Sequence, residues 1–205
     1  LLTLGKIQDV IYDSTRISWT TNVLNAAKKN EIIPLDKIGE NSNCLYRPYF
    51  KQYGCYSRFW NERVYQLPKL FPTSKYKNLV ICVSGVGVTK DFSCIITDML
   101  PDLELIGKSQ CFPLYWYEEN KNKQQTLSLF DTESSDDYIR RDGITDWILK
   151  EVRTRFGNAR KITKETIFYY VYGLLHSPKY REAFAADLKK SLPRIPIVED
   201  IDAFL

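Results

Sequence analysis

Leu79-Val80-Ile81-Cys82-Val83 is an unbroken apolar run, closed by Ser84-Gly85-Val86-Gly87 and followed by a second apolar stretch, Phe92–Thr97. Such a run is too short for a helix and bounded by turn residues, so it reads as a buried strand. The glycine-rich segment then predicts a turn joining two strands. Strand texture extends over Leu45–Tyr117. Cys111–Tyr117 reads as a further strand, and Pro113 within it argues for an edge or a strand start.

The last third has helical spacing instead. Ile144, Trp147, Ile148, Val152 and Phe156 fall on one face, with Gly157 where a C-terminal cap belongs. Lys150 and Arg153 share the opposite side. Thr163 can cap a helix running through Ile167, Tyr170, Val171, Leu174 and Leu175. Ser177-Pro178 restarts a helix with hydroxyl cap and first-turn proline, and Tyr180, Phe184 and Leu188 form its apolar stripe. Residues 1–30 also look helical, with Ile17, Trp19, Val23, Leu24 and Ala27 at loose helical spacing. Pro34, Gly39 and Asn41-Ser42-Asn43 mark a loop. The expected fold is therefore α+β: a mixed or antiparallel sheet body with a C-terminal helical portion built around a helix–SerPro–helix corner. Residues 1–40 are expected to be a helical connector and 41–205 the functional domain.

With 44% apolar and 14% aromatic residues, 205 residues suffice for a packed core. No apolar stretch is long enough to span a bilayer, and no signal peptide is recognised. A chain opening on Leu1 suggests a fragment. Five scattered cysteines (Cys44, Cys55, Cys82, Cys94, Cys111) form no CxxC pair and share a single histidine, His176, which argues against structural zinc. Reduced thiols in a cytoplasmic protein are expected.

Charge is unevenly distributed. Arg47 to Lys77 holds seven Lys/Arg against Glu62 alone, and Tyr138 to Lys164 holds eight basic residues against three acidic. Between them, Asp91 to Asp137 holds ten acidic residues and three basic. A protein that binds a polyanion would gather the two basic blocks on one face and turn the acidic block away.

Catalytic readings are weaker. A Ser or Cys triad would depend on His176, which sits at a helix end where capping a last carbonyl explains it. Gly85-Val86-Gly87 with Thr89-Lys90 lacks both the P-loop spacing and the third glycine of a dinucleotide fingerprint. A cofactor loop and an (N/D)PP(Y/F) motif for base methylation are absent, as is a DEAD-type motor motif. Asp102 with Glu119 and Lys121 resembles a PD…ExK site, in which two carboxylates hold Mg²⁺ and the lysine helps position water. This is the enzyme alternative.

The ordered series Tyr46-Arg47-Pro48-Tyr49, Asn78, Gln110–Tyr117, Ile144-Thr145-Asp146, Ile167–Arg181 and Leu192–Pro196 resembles the C-terminal specificity domain of Type ISP restriction–modification enzymes. Related domains occur in single-chain Type II enzymes. The YVYGLLHSPKYR stretch with its PRIP tail carries most of the resemblance, and Tyr49 stands where the family commonly has Phe. The resemblance implies recognition of double-stranded DNA by a non-catalytic module. It also implies N-terminal nuclease, translocase and adenine methyltransferase modules that use Mg²⁺, ATP and S-adenosylmethionine, and no cofactor in this part. It casts the signature residues as scaffold, with Arg47 and Arg194 available to bridge carbonyls or carboxylates. Base and phosphate contacts then fall to Arg58, Arg63, Lys75, Lys77, Arg140, Arg141, Arg153, Arg155, Arg160 and Lys161. A third reading, a protein-interaction module of the same enzyme, predicts a large apolar patch near the Trp19 helix.

Overall fold

A computed structural model of the chain describes residues 2–3, 19–33, 39–57, 59–121, 137–157 and 161–199. The apolar run forms β5 (Val80–Val83), central in a sheet between β6 (Cys94–Thr97) and β8 (Gln110–Pro113) and antiparallel to both. Its residues are at most 1% exposed. Ile81 and Val83 face one apolar cluster, while Val80 and Cys82 face another. Two covered faces explain why the run is unbroken rather than alternating. The expected glycine-rich turn joins β5 to β6, and a Cβ at Gly85 would collide with the Lys108 carbonyl.

Cys111–Tyr117 is not one strand. Pro113 ends β8, an edge strand as expected, and Leu114 changes the direction of pairing. The Leu114 N–H donates to the Leu79 carbonyl at 2.8 Å, while its own carbonyl accepts from Gly143 at 2.7 Å. β9 (Tyr115–Glu119) then pairs antiparallel with β10 (Tyr138–Asp142) as a separate two-stranded ribbon. Asn78 ties this ribbon to the core. Its Nδ2 donates to the carbonyls of Leu70 (2.9 Å) and Tyr115 (2.6 Å). Its Oδ1 accepts from the N–H groups of Leu79 (2.9 Å) and Tyr115 (3.1 Å). The side-chain amide thus pairs with the Tyr115 peptide as a neighbouring strand would.

A second sheet places β3 (Glu40–Arg47) between β4 (Phe50–Tyr56), antiparallel, and the short β7 (Leu100–Pro101), parallel. Asn41-Ser42-Asn43, expected in a loop, are inside β3. Every residue from Glu40 to Leu45 has a partner on β4, and this pairing overrides the local turn preference of Asn and Ser. A four-residue helix, α2 (Leu67–Leu70), covers the cluster around Leu45, Val80 and Leu105.

Among the described N-terminal residues, α1 (Thr21–Lys28) is helical. Leu2–Thr3 (β1) pairs with Ile32–Ile33 (β2), so the helix expected over 1–30 does not reach the first residues. Residues 4–18 and the expected loop at Pro34 lie outside the described residues.

The C-terminal helices follow their caps. Thr145 caps α3 (Asp146–Phe156), which ends on Gly157 at φ 80°. Trp147 departs from the expected apolar face: it is 69% exposed, and Ile148, Leu149, Val152 and Phe156 make the contact instead. Thr163 and Thr166 cap α4 (Lys164–His176) reciprocally. Ser177 and Pro178 open α5 (Pro178–Ala183). The stripe through Leu188 is split, because Phe184 leaves helical geometry before α6 (Ala185–Leu188). The last carbonyl region of α4 is closed by Arg181, whose Nε donates to the Leu175 carbonyl at 2.6 Å, and not by His176. The His176 ring packs on Tyr172 instead. The PRIP segment is fastened by two tyrosine hydroxyls, Tyr170 to the Pro196 carbonyl and Tyr180 to the Arg194 carbonyl at 2.7 Å. The architecture is α+β, and no helix among the described residues is long and apolar enough to cross a membrane.

Candidate nucleic-acid interface

The two basic blocks meet at an aromatic junction. Tyr76 comes from the first block, and its ring lies edge-on to Tyr117 of β9 (5.1 Å between centroids) and to Tyr138 of β10 (5.2 Å). The Tyr117 hydroxyl donates to the Lys77 carbonyl at 2.6 Å, which fixes the Lys75–Lys77 segment against the ribbon. Burial holds the Tyr117 phenol above its usual value, so it remains a donor at neutral pH.

Alternation along β10 then divides its arginines. Tyr138 and Arg140 share the face that carries Tyr117, whereas Arg141 points to the opposite face with Trp116 and Glu118. Arg140 stacks its guanidinium 4.3 Å from the Tyr115 ring centroid and leaves its head exposed. Arg141 is paired with Glu118 at 3.0 Å. Lys75, Lys77 and Arg140 make no ion pair among the described residues. They form an exposed cationic group around the buried Tyr117 ring and the half-buried rings of Tyr76, Tyr115 and Tyr138, a composition suited to a phosphate backbone.

The remaining candidates are placed elsewhere. Arg153 donates from Nε (3.0 Å) and Nη2 (2.7 Å) to the Ile162 carbonyl, joining α3 to the start of α4. Arg155 lies beside Phe156, with 6.0 Å to the ring centroid. Lys161 is exposed next to the buried Ile162. Arg63 is exposed and engages Tyr65. Arg58 and Arg160 lie outside the described residues. Lys164, within the second basic block, is neutralised by Asp142 (2.7 Å) and Asp146 (2.6 Å), which hold its ammonium above the ordinary lysine range.

Sequence reasoning missed the surface of the β3–β4 hairpin. Tyr49 at its tip is 91% exposed with φ 65°, after Pro48, as the third position of a type II turn requires. Tyr53 is 85% exposed, and Tyr46 and Phe50 are also open. A strand-period reading of the residues around Asn41–Asn43 would have found this face. Among the described residues, α1 turns Val23, Ala26 and Ala27 inward and carries no large exposed apolar side chain, while most of the chain before the Trp19 helix, where the expected apolar patch would extend, lies outside the described residues. Arg47 acts as scaffold, donating to Asp102 (3.1 Å) and to the Tyr46 carbonyl (2.7 Å).

Of the PD…ExK-like set, Asp102 is bonded within the fold, whereas Glu119 and Lys121 are exposed. Asp102 binds Arg47 and accepts the Glu104 N–H at 2.8 Å, while Glu119 lies on the ribbon opposite Tyr138. Among the described residues, no three His, Cys, Asp or Glu side chains group to hold a metal ion. Burial pushes the Cys94 thiol up to about 12, which keeps it protonated and unreactive.

The Type ISP C-terminal specificity domain family matches residues 3–205. Among curated proteins, none matches. Solved structures do. A chain of the DrdV–DNA complex, solved by cryoEM, is 32% identical over 92% of this chain, with a TM-score of 0.75. The ATP-dependent Type ISP restriction–modification enzyme LlaBIII bound to DNA is 32% identical over 92%, with a TM-score of 0.72. A nuclease-deletion mutant of the Type ISP restriction–modification enzyme LlaGI, in complex with a DNA substrate mimic, is 31% identical over 95%, with a TM-score of 0.68. This chain spans only 17%, 11% and 15% of those chains, respectively. With the family covering nearly its whole length and three structures sharing its fold, the chain belongs to the Type ISP C-terminal specificity domains.

Proposed function

We propose that this domain recognises a sequence in double-stranded DNA, without catalysing a reaction, and so directs a larger restriction–modification enzyme to its site. The observation that carries this reading is the Tyr76 junction, which brings Lys75 and Lys77 of one basic block beside Arg140 of the other. The similarity to DNA-bound chains supports it. Lys75, Lys77 and Arg140 contact phosphates, with Arg63, Arg155 and Lys161 as outlying contacts. Arg141 and Arg153 contribute less, since Glu118 and the Ile162 carbonyl already occupy them. Residues 1–40 act as the connector and 41–205 as the recognition domain.

We assign S-adenosylmethionine, ATP and Mg²⁺ to nuclease, translocase and adenine methyltransferase modules N-terminal to this part. Gly85–Gly87 joins two antiparallel strands rather than opening a helix onto a phosphate. A cytoplasmic location follows from DNA as the target. The exposed tip of the hairpin, Tyr46, Tyr49 and Phe50, favours a second role for that end alone: contact with another module of the same enzyme.

Titration of the chain with a labelled duplex tests the main reading. Nonspecific binding is expected at a Kd of about 10⁻⁴–10⁻⁶ M at physiological salt, weakening steeply as salt rises. No binding at any salt would remove the proposal.

A further inference from the structure

We infer that Asn41 and Asn43, on the outer part of β3, read adenine-bearing base pairs in the major groove. The inference rests on the DNA-recognition reading above and adds base readers to what is otherwise a set of phosphate contacts. Asn41 and Asn43 lie two residues apart and so point to one face of the strand, both exposed. Neither amide has a hydrogen-bond partner among the described residues. Asn61 and Asn78, by contrast, are tied to backbone groups. A free Asn amide presents one donor and one acceptor side by side, which matches adenine N6 and N7 in the major groove.

The mounting is suited to the task. β7 pairs only with Cys44 and Leu45, so Glu40–Asn43 pair with β4 alone, as a two-stranded ribbon. A ribbon of that width enters the major groove. Two residues along a strand span about 6.7 Å, comparable to two base-pair steps, so both amides can reach base edges within one short site. Tyr53 lies directly opposite Asn43 and is 85% exposed, offering an aromatic surface beside the amide.

Cations flank this ribbon on the side of the junction already described. Asn41, Asn43 and Tyr53 line a groove of about 600 Å³ together with Ser74, Tyr76 and Lys77. The Ser74 hydroxyl (2.8 Å) and N–H (3.2 Å) both donate to Glu40 Oε2, which locks the lysine-bearing segment to the start of β3. Those bonds hold the Glu40 carboxyl below its ordinary value, so the lock stays closed at neutral pH. Phosphate binders and amide readers are thereby set on one rigid frame, as base reading demands.

The test is sequence selection by the chain from a randomised duplex pool, followed by titration against the preferred duplex and all its single-base-pair variants. Asn41→Ala and Asn43→Ala should each lose roughly five- to a hundredfold of discrimination at one adenine position and keep it elsewhere. Lys75→Ala/Lys77→Ala should weaken every duplex alike. Unchanged discrimination in the asparagine variants, or uniform weakening across all duplexes, overturns the inference while leaving DNA recognition standing. If the unsubstituted chain selects no sequence at all, the recognition reading itself fails. Should alanine disturb the strand, seen as a lowered Tm, Asn41→Thr and Asn43→Thr keep strand preference while removing the amide, and are judged by the same ratios.

Discussion

The α4–α5 corner and the β9–β10 ribbon are both rich in tyrosine and arginine, yet they use these residues in opposite ways. In the corner the polar tips turn inward. Tyr170 and Tyr180 close the carbonyls of the PRIP segment, and Arg181 closes the end of α4. In the ribbon, Tyr117 is used in this manner, on the Lys77 carbonyl, while Tyr76 packs edge-on against both Tyr117 and Tyr138. Lys75, Lys77 and Arg140 remain open. Residue type therefore does not separate scaffold from interface; the location of each hydrogen-bond partner does. Long, recognisable motifs such as YVYGLLHSPKYR mark the scaffold, and scattered single cations mark the surface that the scaffold holds up.

The comparison can be broken most directly at Asn78, the hinge between core and ribbon. Asn78→Ala leaves two carbonyls and two N–H groups without their partner, and should cost about 3–5 kcal/mol in chemical denaturation. A loss under 1 kcal/mol would mean the ribbon is held by its aromatic contacts alone.

Arg153 comes next. If it belongs with the scaffold, Arg153→Ala lowers stability by about 1–2 kcal/mol, a charged group losing two bonds to one carbonyl, and leaves the salt dependence of DNA binding as it was. A flatter salt slope with unchanged stability would move it to the interface.

Arg140 and Arg141 are adjacent in sequence but on opposite faces. Arg140→Ala should weaken duplex binding severalfold and reduce the slope of log K against log salt by about 0.9, the contribution of one phosphate contact. Arg141→Ala should change it less, because Glu118 already neutralises that side chain. Equal effects would show that the ribbon does not present one face to DNA.

The smallest effect concerns His176 in the corner. Burial, and then the Arg181 guanidinium, hold its pKa below the ordinary histidine value of 6.5. Between that lowered value and 6.5 the unfolded chain binds more protons than the folded one. Stability is therefore full above 6.5 and declines as pH falls below it. Since the ring is largely exposed, Tm should drop by only about one or two degrees from pH 7.5 to 5.5 beyond that of His176→Asn. A drop of equal size in both proteins would assign it to other groups.

The pattern of what could be read in advance is physical. Caps at Thr163, Ser177 and Gly157 were legible because a cap is made within about four residues of itself. The β5 run was legible because its own composition requires burial on two sides. Asn41–Asn43 were misplaced in a loop because local preference says turn, whereas cross-strand pairing with β4 supplies the larger contribution. Cys111–Tyr117 was read as one strand because nothing local announces that Leu114 hands the chain from one sheet to another.

By itself the sequence determined the α+β class, the helix boundaries near their caps, the buried central strand and two separated stores of positive charge. Only the tertiary structure decided which cations stay open, that Arg153 is turned to a carbonyl, and that Lys77 meets the ribbon at Tyr117. The reason is separation along the chain. Contacts such as Tyr117 with Lys77, forty positions apart, arise when whole elements pack, and no local preference encodes the face on which a side chain then lies.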